Sequence, residues 1–187
     1  KDGNIIGRRS MSNIKEKQTL QTLKDLTRGN HMTFGATRAV RRDLVQKFPP
    51  LRNQCPTEDT PLLVRSLICG DNILSHQKGI LYRKHEYNLG SRDSQRRMNL
   101  KEIYHQYYDD ICHAETAKLI SKDDANSLRV WVRRDEKIRE IKLQKLGIGA
   151  LSLGDLFFIL PLLYSRISRK IRNRVINYLT LTRRKTR

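Results

Sequence analysis

Residues 57–70 read Thr57-Glu58-Asp59-Thr60-Pro61-Leu62-Leu63-Val64-Arg65-Ser66-Leu67-Ile68-Cys69-Gly70, and the part from Thr60 to Gly70 predicts a well-marked helix. Thr60 is a good N-cap residue, Pro61 suits a first helical position that needs no N–H, and Gly70 suits the C-terminal exit. The polar run Leu51–Pro56 leads into this helix as a loop. Before it, Pro49-Pro50 stops an expected helix over about Val40–Phe48, because proline has no N–H and clashes with the preceding turn. After it, Asn72–His85 reads as extended chain, two strands broken near Gly79.

Further upstream, Asp2-Gly3-Asn4 followed by Ile5-Ile6-Gly7 reads as a turn and a short strand. Ile14, Leu20, Leu23 and Leu26 suit a short amphipathic helix from about Asn13 to Leu26, and His31–Thr37 reads as a strand. Downstream, the composition shifts near Gly90 and only helices are expected. Leu100, Ile103, Tyr107, Ile111 and Ala114 step by three and four along one stripe. Ser121-Lys122-Asp123-Asp124 resembles a helix start, and Leu128, Trp131, Ile138, Ile141 and Leu146 continue a second stripe.

The chain of 187 residues is 37% hydrophobic, enough for a packed core with some extra helices. Its 38 Lys and Arg against 19 Asp and Glu leave a net charge of +19. That excess predicts attraction to polyanions: nucleic acid, anionic lipid or phosphorylated metabolites. Cys55, Cys69 and Cys112 are odd in number, widely spaced and without a Cys-x-x-Cys pair. They argue against a disulfide scaffold and a zinc site, and fit a reducing compartment. The opening Lys1-Asp2-Gly3-Asn4 has neither an initiator Met nor a signal-peptide core, so it reads as the middle of a longer chain.

The functional signal lies between His31 and Gly90. Gly35-Ala36-Thr37-Arg38-Ala39-Val40-Arg41-Arg42 precedes a helix, Thr57-Glu58-Asp59 opens the next, and Tyr82-Arg83-Lys84-His85-Glu86-Tyr87-Asn88 ends the strand after it. This order resembles the C-terminal, acceptor-side half of family-2 glycosyltransferases of the GT-A fold, and the resemblance covers about half the chain. In that family a Gly-x-x-x-Ala-x-Arg-Arg segment lies under the acceptor, a Glu-Asp pair opens the next helix, and an Arg-x-His-x-x-Asn run follows. The resemblance implies an α/β fold class: a partial GT-A, Rossmann-like fold at 1–90, a helical extension at 91–146, and an apolar then basic segment at 147–187.

Glycosyl transfer needs an acceptor hydroxyl deprotonated as it attacks the anomeric carbon, and a nearby carboxylate can take that proton. By resemblance, Asp59 is this catalytic base and Glu58 orients the loop or contacts the acceptor. Gly35, Ala36 and Arg38 lie with the acceptor, and Arg83 contacts the diphosphate. The departing nucleotide diphosphate is usually met by a divalent metal, Mn or Mg, and His85 matches a position that reaches it. Read alone, Glu58-Asp59 is an ordinary acidic helix start favoured by the helix dipole, and His85 an ordinary strand-end histidine. The flanking motifs change that weighing.

The family's metal-holding Asp-x-Asp motif does not occur, since Asp109-Asp110 and Asp123-Asp124 are adjacent pairs. The expectation is therefore that the donor-binding half lies upstream and that this chain alone transfers no sugar. A Gln-x-x-Arg-Trp sequence is also lacking, which implies a non-processive enzyme; the resemblance implies inversion. Its substrates are then a nucleotide-sugar donor and a saccharide or lipid-linked saccharide acceptor, in cell-surface polysaccharide or glycolipid biosynthesis. Gly147–Tyr164 is almost wholly apolar but holds Asp155 and Pro161, and Ser165–Arg187 carries nine Lys or Arg and no acid. An interfacial or re-entrant helix on an anionic membrane is expected, with Leu156, Phe157, Phe158, Ile159, Leu160, Leu162 and Leu163 among the acyl chains; the alternative is a buried C-terminal helix packed on the catalytic domain with a disordered basic end. The enzyme is then cytoplasmic and peripheral at the inner face of the cell membrane. The alternatives are a basic nucleic-acid-binding module or a catalytically inactive interaction protein. With 6% aromatic residues and no recognised motif, nucleic acid is the weaker partner.

Overall fold

The structure is a computed structural model, and it describes residues 18–29, 38–75, 97–144, 152, 154–161 and 164. Within them the elements run β1 (Gln18–Gln21), α1 (Leu23–Thr27), α2 (Arg42–Gln46), α3 (Asp59–Cys69), β2 (Asn72–Ser75), α4 (Leu100–Thr116) and α5 (Lys122–Gln144). A last helix, α6, spans 154–161. Helix accounts for 65% of the described residues and the sheet has two strands, so helix-on-helix packing makes the core. Both strands and helices are present, as expected, but no Rossmann-like sheet lies among the described residues.

The helix expected over Asn13–Leu26 is instead a strand and a helix joined at Thr22. Gln18–Gln21 pairs antiparallel with Asn72–Ser75, setting Leu20 opposite Ile73 and Gln21 opposite Asn72. Thr22 then caps α1 in a capping box: its hydroxyl accepts the Asp25 N–H at 3.3 Å, and Asp25 Oδ2 accepts the Thr22 N–H at 2.9 Å. Leu20, Leu23 and Leu26 satisfy a helical spacing by accident of two elements meeting. The partner strand, fifty residues on, decides between them.

Two other boundaries shift. The second helix is shorter than Val40–Phe48, starting at Arg42. The third begins at Asp59, with Glu58 rather than Thr60 at the N-cap, and Pro61 in its third position. Pro61 costs nothing there, because the first turn has no carbonyl for its missing N–H to meet. Gly70 ends the helix as expected, at φ 157°, a conformation L side chains rarely adopt.

α4 and α5 form an antiparallel pair and supply the largest apolar face. Ile103, Tyr107, Ile111 and Ala114 from α4 meet Ala125, Leu128, Trp131 and Val132 from α5 in one buried cluster. Each fully buried large side chain there contributes about 1.5–3 kcal/mol relative to exposure. α4 ends in a Schellman turn, with Leu119 N–H on Ala114 C=O at 2.8 Å and Lys118 N–H on Glu115 C=O at 3.1 Å. The left-handed position of that turn is held by Lys118, at φ 54°. Ser121 caps α5 as the sequence suggests, accepting the Asp124 N–H at 3.1 Å. The same cluster takes in Leu63, Val64, Leu67 and Ile68 of α3, so α3 lies packed against α4.

Candidate active site at the start of α3

The Thr57-Glu58-Asp59 turn is built by local bonds. Thr57 Oγ1 accepts the Asp59 N–H at 3.3 Å, and Glu58 C=O accepts the Leu62 N–H at 3.0 Å to start the helix. Glu58 is exposed and Asp59 half-buried, so both carboxylates reach solvent at an N-terminus whose dipole favours negative charge. Arg38 comes from the segment before α2. Burial holds its guanidinium pKa below the ordinary value, while the charges of Asp59, Tyr107 and Glu58 act in the opposite direction, so all three lie within its electrostatic reach. Gly35, Ala36, Arg83 and His85 lie outside the described residues.

α4 supports this turn from both sides in sequence. On the approach, Arg52 N–H donates to Gln106 Oε1 at 2.7 Å, Arg52 Nε to Glu102 at 3.0 Å and Nη1 to Asp109 at 2.8 Å. Beyond the turn, Arg65 makes a bidentate pair with Asp110, Nε to Oδ2 at 2.8 Å and Nη2 to Oδ1 at 2.7 Å. Gln106 Nε2 adds a third bond to Asp110 at 2.8 Å, and the Arg65 guanidinium stacks 4.9 Å from the Phe48 ring centroid. Arg65 and Asp110 are both buried. Burial pushes the Asp110 carboxyl above its usual range, opposed by Arg65 and Gln106. α2 is held as well: His113 Nε2 lies 2.9 Å from Lys47 C=O.

Tyr107 was legible only as part of an apolar stripe. It is deeply buried next to Arg38 and Thr60, and desolvation pushes its phenol up to about 12, with Thr60 pulling the other way. Its ring stands 5.6 Å from Trp131 and 5.7 Å from Tyr104. A shallow cleft of about 270 Å³, lined by Arg52, Asn53, Gln54 and Glu102, opens on the loop that leads to Thr57.

Among the described residues no group of three His, Cys, Asp or Glu is placed to hold a metal ion. Glu58 and Asp59 lie within the electrostatic reach of a single guanidinium, Arg38, and a carboxylate there can accept from a polar hydroxyl. Among the described residues, too, no helix is long and apolar enough to cross a membrane. No family model, curated protein or solved structure matches this chain.

Proposed function

We propose that this chain is the acceptor-side part of a family-2, GT-A glycosyltransferase, with Asp59 as the base that takes the acceptor proton. The observation carrying the reading is the solvent-reaching carboxylate pair Glu58-Asp59 at the start of α3, within the electrostatic reach of Arg38 and on a helix braced by α4 on both flanks. A half-buried carboxylate on a rigid helix end can sit beside an incoming hydroxyl. Arg38 holds the acceptor against that turn, and Glu58, being exposed, contacts it from solvent. The ribbon of two strands supports the same reading. A lone antiparallel pair is marginal in water, and its directly opposed Leu20 and Ile73 are 57% and 68% exposed. Such an apolar pair suits a sheet completed by further chain.

In this reading the donor is a nucleotide sugar, the acceptor a saccharide or lipid-linked saccharide, and transfer is non-processive and inverting. A divalent ion would neutralise the donor diphosphate, with His85 as its ligand in this chain and Arg83 on the diphosphate itself. The enzyme works from the cytoplasmic side at the inner face of the cell membrane. The test is Asp59→Asn in the full-length enzyme, made together with a donor-binding titration. Transfer should fall by about 10²–10⁴-fold, with donor affinity nearly unchanged. Retained turnover removes Asp59 as the base, and turnover by the 187-residue chain alone removes the acceptor-half reading.

A further inference from the structure

α6 is tied down on one side and bare on the other. Ile159 is buried, Arg134 of α5 lies over the Phe158 ring at 5.3 Å, and Lys137 Nζ is 3.5 Å from Asp155 Oδ1. Ser152 caps the helix, its hydroxyl 2.9 Å from Asp155 Oδ2 and accepting the Asp155 N–H at 3.1 Å. These contacts fix which way the helix faces. Phe157, Leu160 and Tyr164, spaced by three and four, take the opposite side and are 75%, 54% and 72% exposed. Of the seven apolar residues expected from sequence, Ile159 is buried, Leu156 half-buried and Phe158 under Arg134 of α5, while Leu162 and Leu163 lie outside the described residues.

Folding leaves the apolar area of that stripe in water, where it has no compensating gain. The chemistry beside it identifies the occupant. Residues 165–187 carry nine Lys or Arg and no Asp or Glu, immediately after Tyr164. An apolar stripe followed in sequence by a segment whose only charges are positive matches the boundary between acyl chains and anionic headgroups. Asp155, the charge that makes burial in lipid costly, sits on the anchored side with Lys137, so the stripe enters the interface without it. We propose that Phe157, Leu160 and Tyr164 dock α6 onto an anionic lipid bilayer, the positive charge that follows them in sequence being the reason for anionic rather than neutral lipid. This specifies the membrane contact of the reading above but stands on separate residues, and each can fail alone.

The experiment uses the 187-residue chain and vesicles of phosphatidylcholine with or without phosphatidylglycerol, with random-sequence duplex DNA as a competing partner. The chain should cosediment with the mixed vesicles. The triple variant Phe157→Ser, Leu160→Ser, Tyr164→Ser should partition at least about tenfold less, with its helical circular dichroism retained because all three side chains are exposed. In Phe157→Trp, brominated acyl chains should quench the new indole while the buried Trp131 stays bright. A triple variant that sediments like the parent chain overturns the proposal, as does an unquenched Trp at 157. Binding to DNA without binding to vesicles overturns it in favour of a nucleic-acid partner.

Discussion

The α3–α4 seam and the β1–β2 ribbon each join segments about fifty residues apart, yet they treat side chains in opposite ways. The seam buries two full charges, Arg65 and Asp110, inside a dense cluster of Leu, Val, Ile and Tyr. The ribbon leaves two large apolar side chains, Leu20 and Ile73, facing water. In the seam, the backbone of the two helices is satisfied internally, so shape and pairing can be specified by side chains. Among the described residues the ribbon has two strands, and one face of it keeps apolar side chains in water. The helical block thus covers its apolar side chains far more fully than the ribbon does.

The largest effect should come from breaking the seam. Arg65→Met strands the Asp110 carboxylate, and urea unfolding should show a loss of about 3–5 kcal/mol. Adding Asp110→Leu should recover much of it, because the uncompensated charge then disappears. The single variant also carries a pH signature. Burial already raises the folded pKa of Asp110, and removing Arg65 removes the main opposing influence. The folded state then binds more protons than the unfolded one above the free carboxylate value of about 3.9, so Arg65→Met should gain stability as pH falls from neutral. A flat profile would break the account of the seam.

A smaller gain should come from Lys118→Gly. A non-glycine residue at positive φ is strained by about 1–2 kcal/mol, partly offset by glycine's larger freedom when unfolded. The net should be a rise of about 0.5–1 kcal/mol, read as a higher urea midpoint at unchanged slope. The smallest effect belongs to the ribbon. Leu20→Thr with Ile73→Thr should change the stability of this chain by no more than about 0.5 kcal/mol, since neither side chain is covered. A loss well above that would erase the contrast between ribbon and seam. If the same pair costs far more in a longer protein, the missing neighbour has been found.

How much of this was readable beforehand depends on the range of the forces involved. The stripes of α4 and α5, the Ser121 cap and the Gly70 exit are local, and their spacing shows in the sequence. Leu20 was misplaced because Leu20, Leu23 and Leu26 obey a helical period while β2, a distant segment, takes Gln18–Gln21 as its partner. Arg65 interrupts an apolar helix face, which hints at burial with a partner. Nothing nearby names Asp110, 45 residues on. At the candidate site, Glu58-Asp59 and Arg38 stand out through their motifs, and the two carboxylates lie within the electrostatic reach of the guanidinium. Tyr107 did not stand out, because a tyrosine on a core stripe looks like packing until a charged neighbour arrives from another segment.

Trp131 has a use of its own. It is the only tryptophan in the chain, it is buried, and its ring lies 5.6 Å from Tyr107, which in turn stands beside Arg38 and Thr60. At such a separation the excited phenol passes its energy to the indole, so the emission of one chromophore reports on the packing directly beneath the candidate site. The molecule thus carries an intrinsic optical gauge, already installed and needing no label, that reads whether anything bound near Arg38 disturbs the packing beneath it.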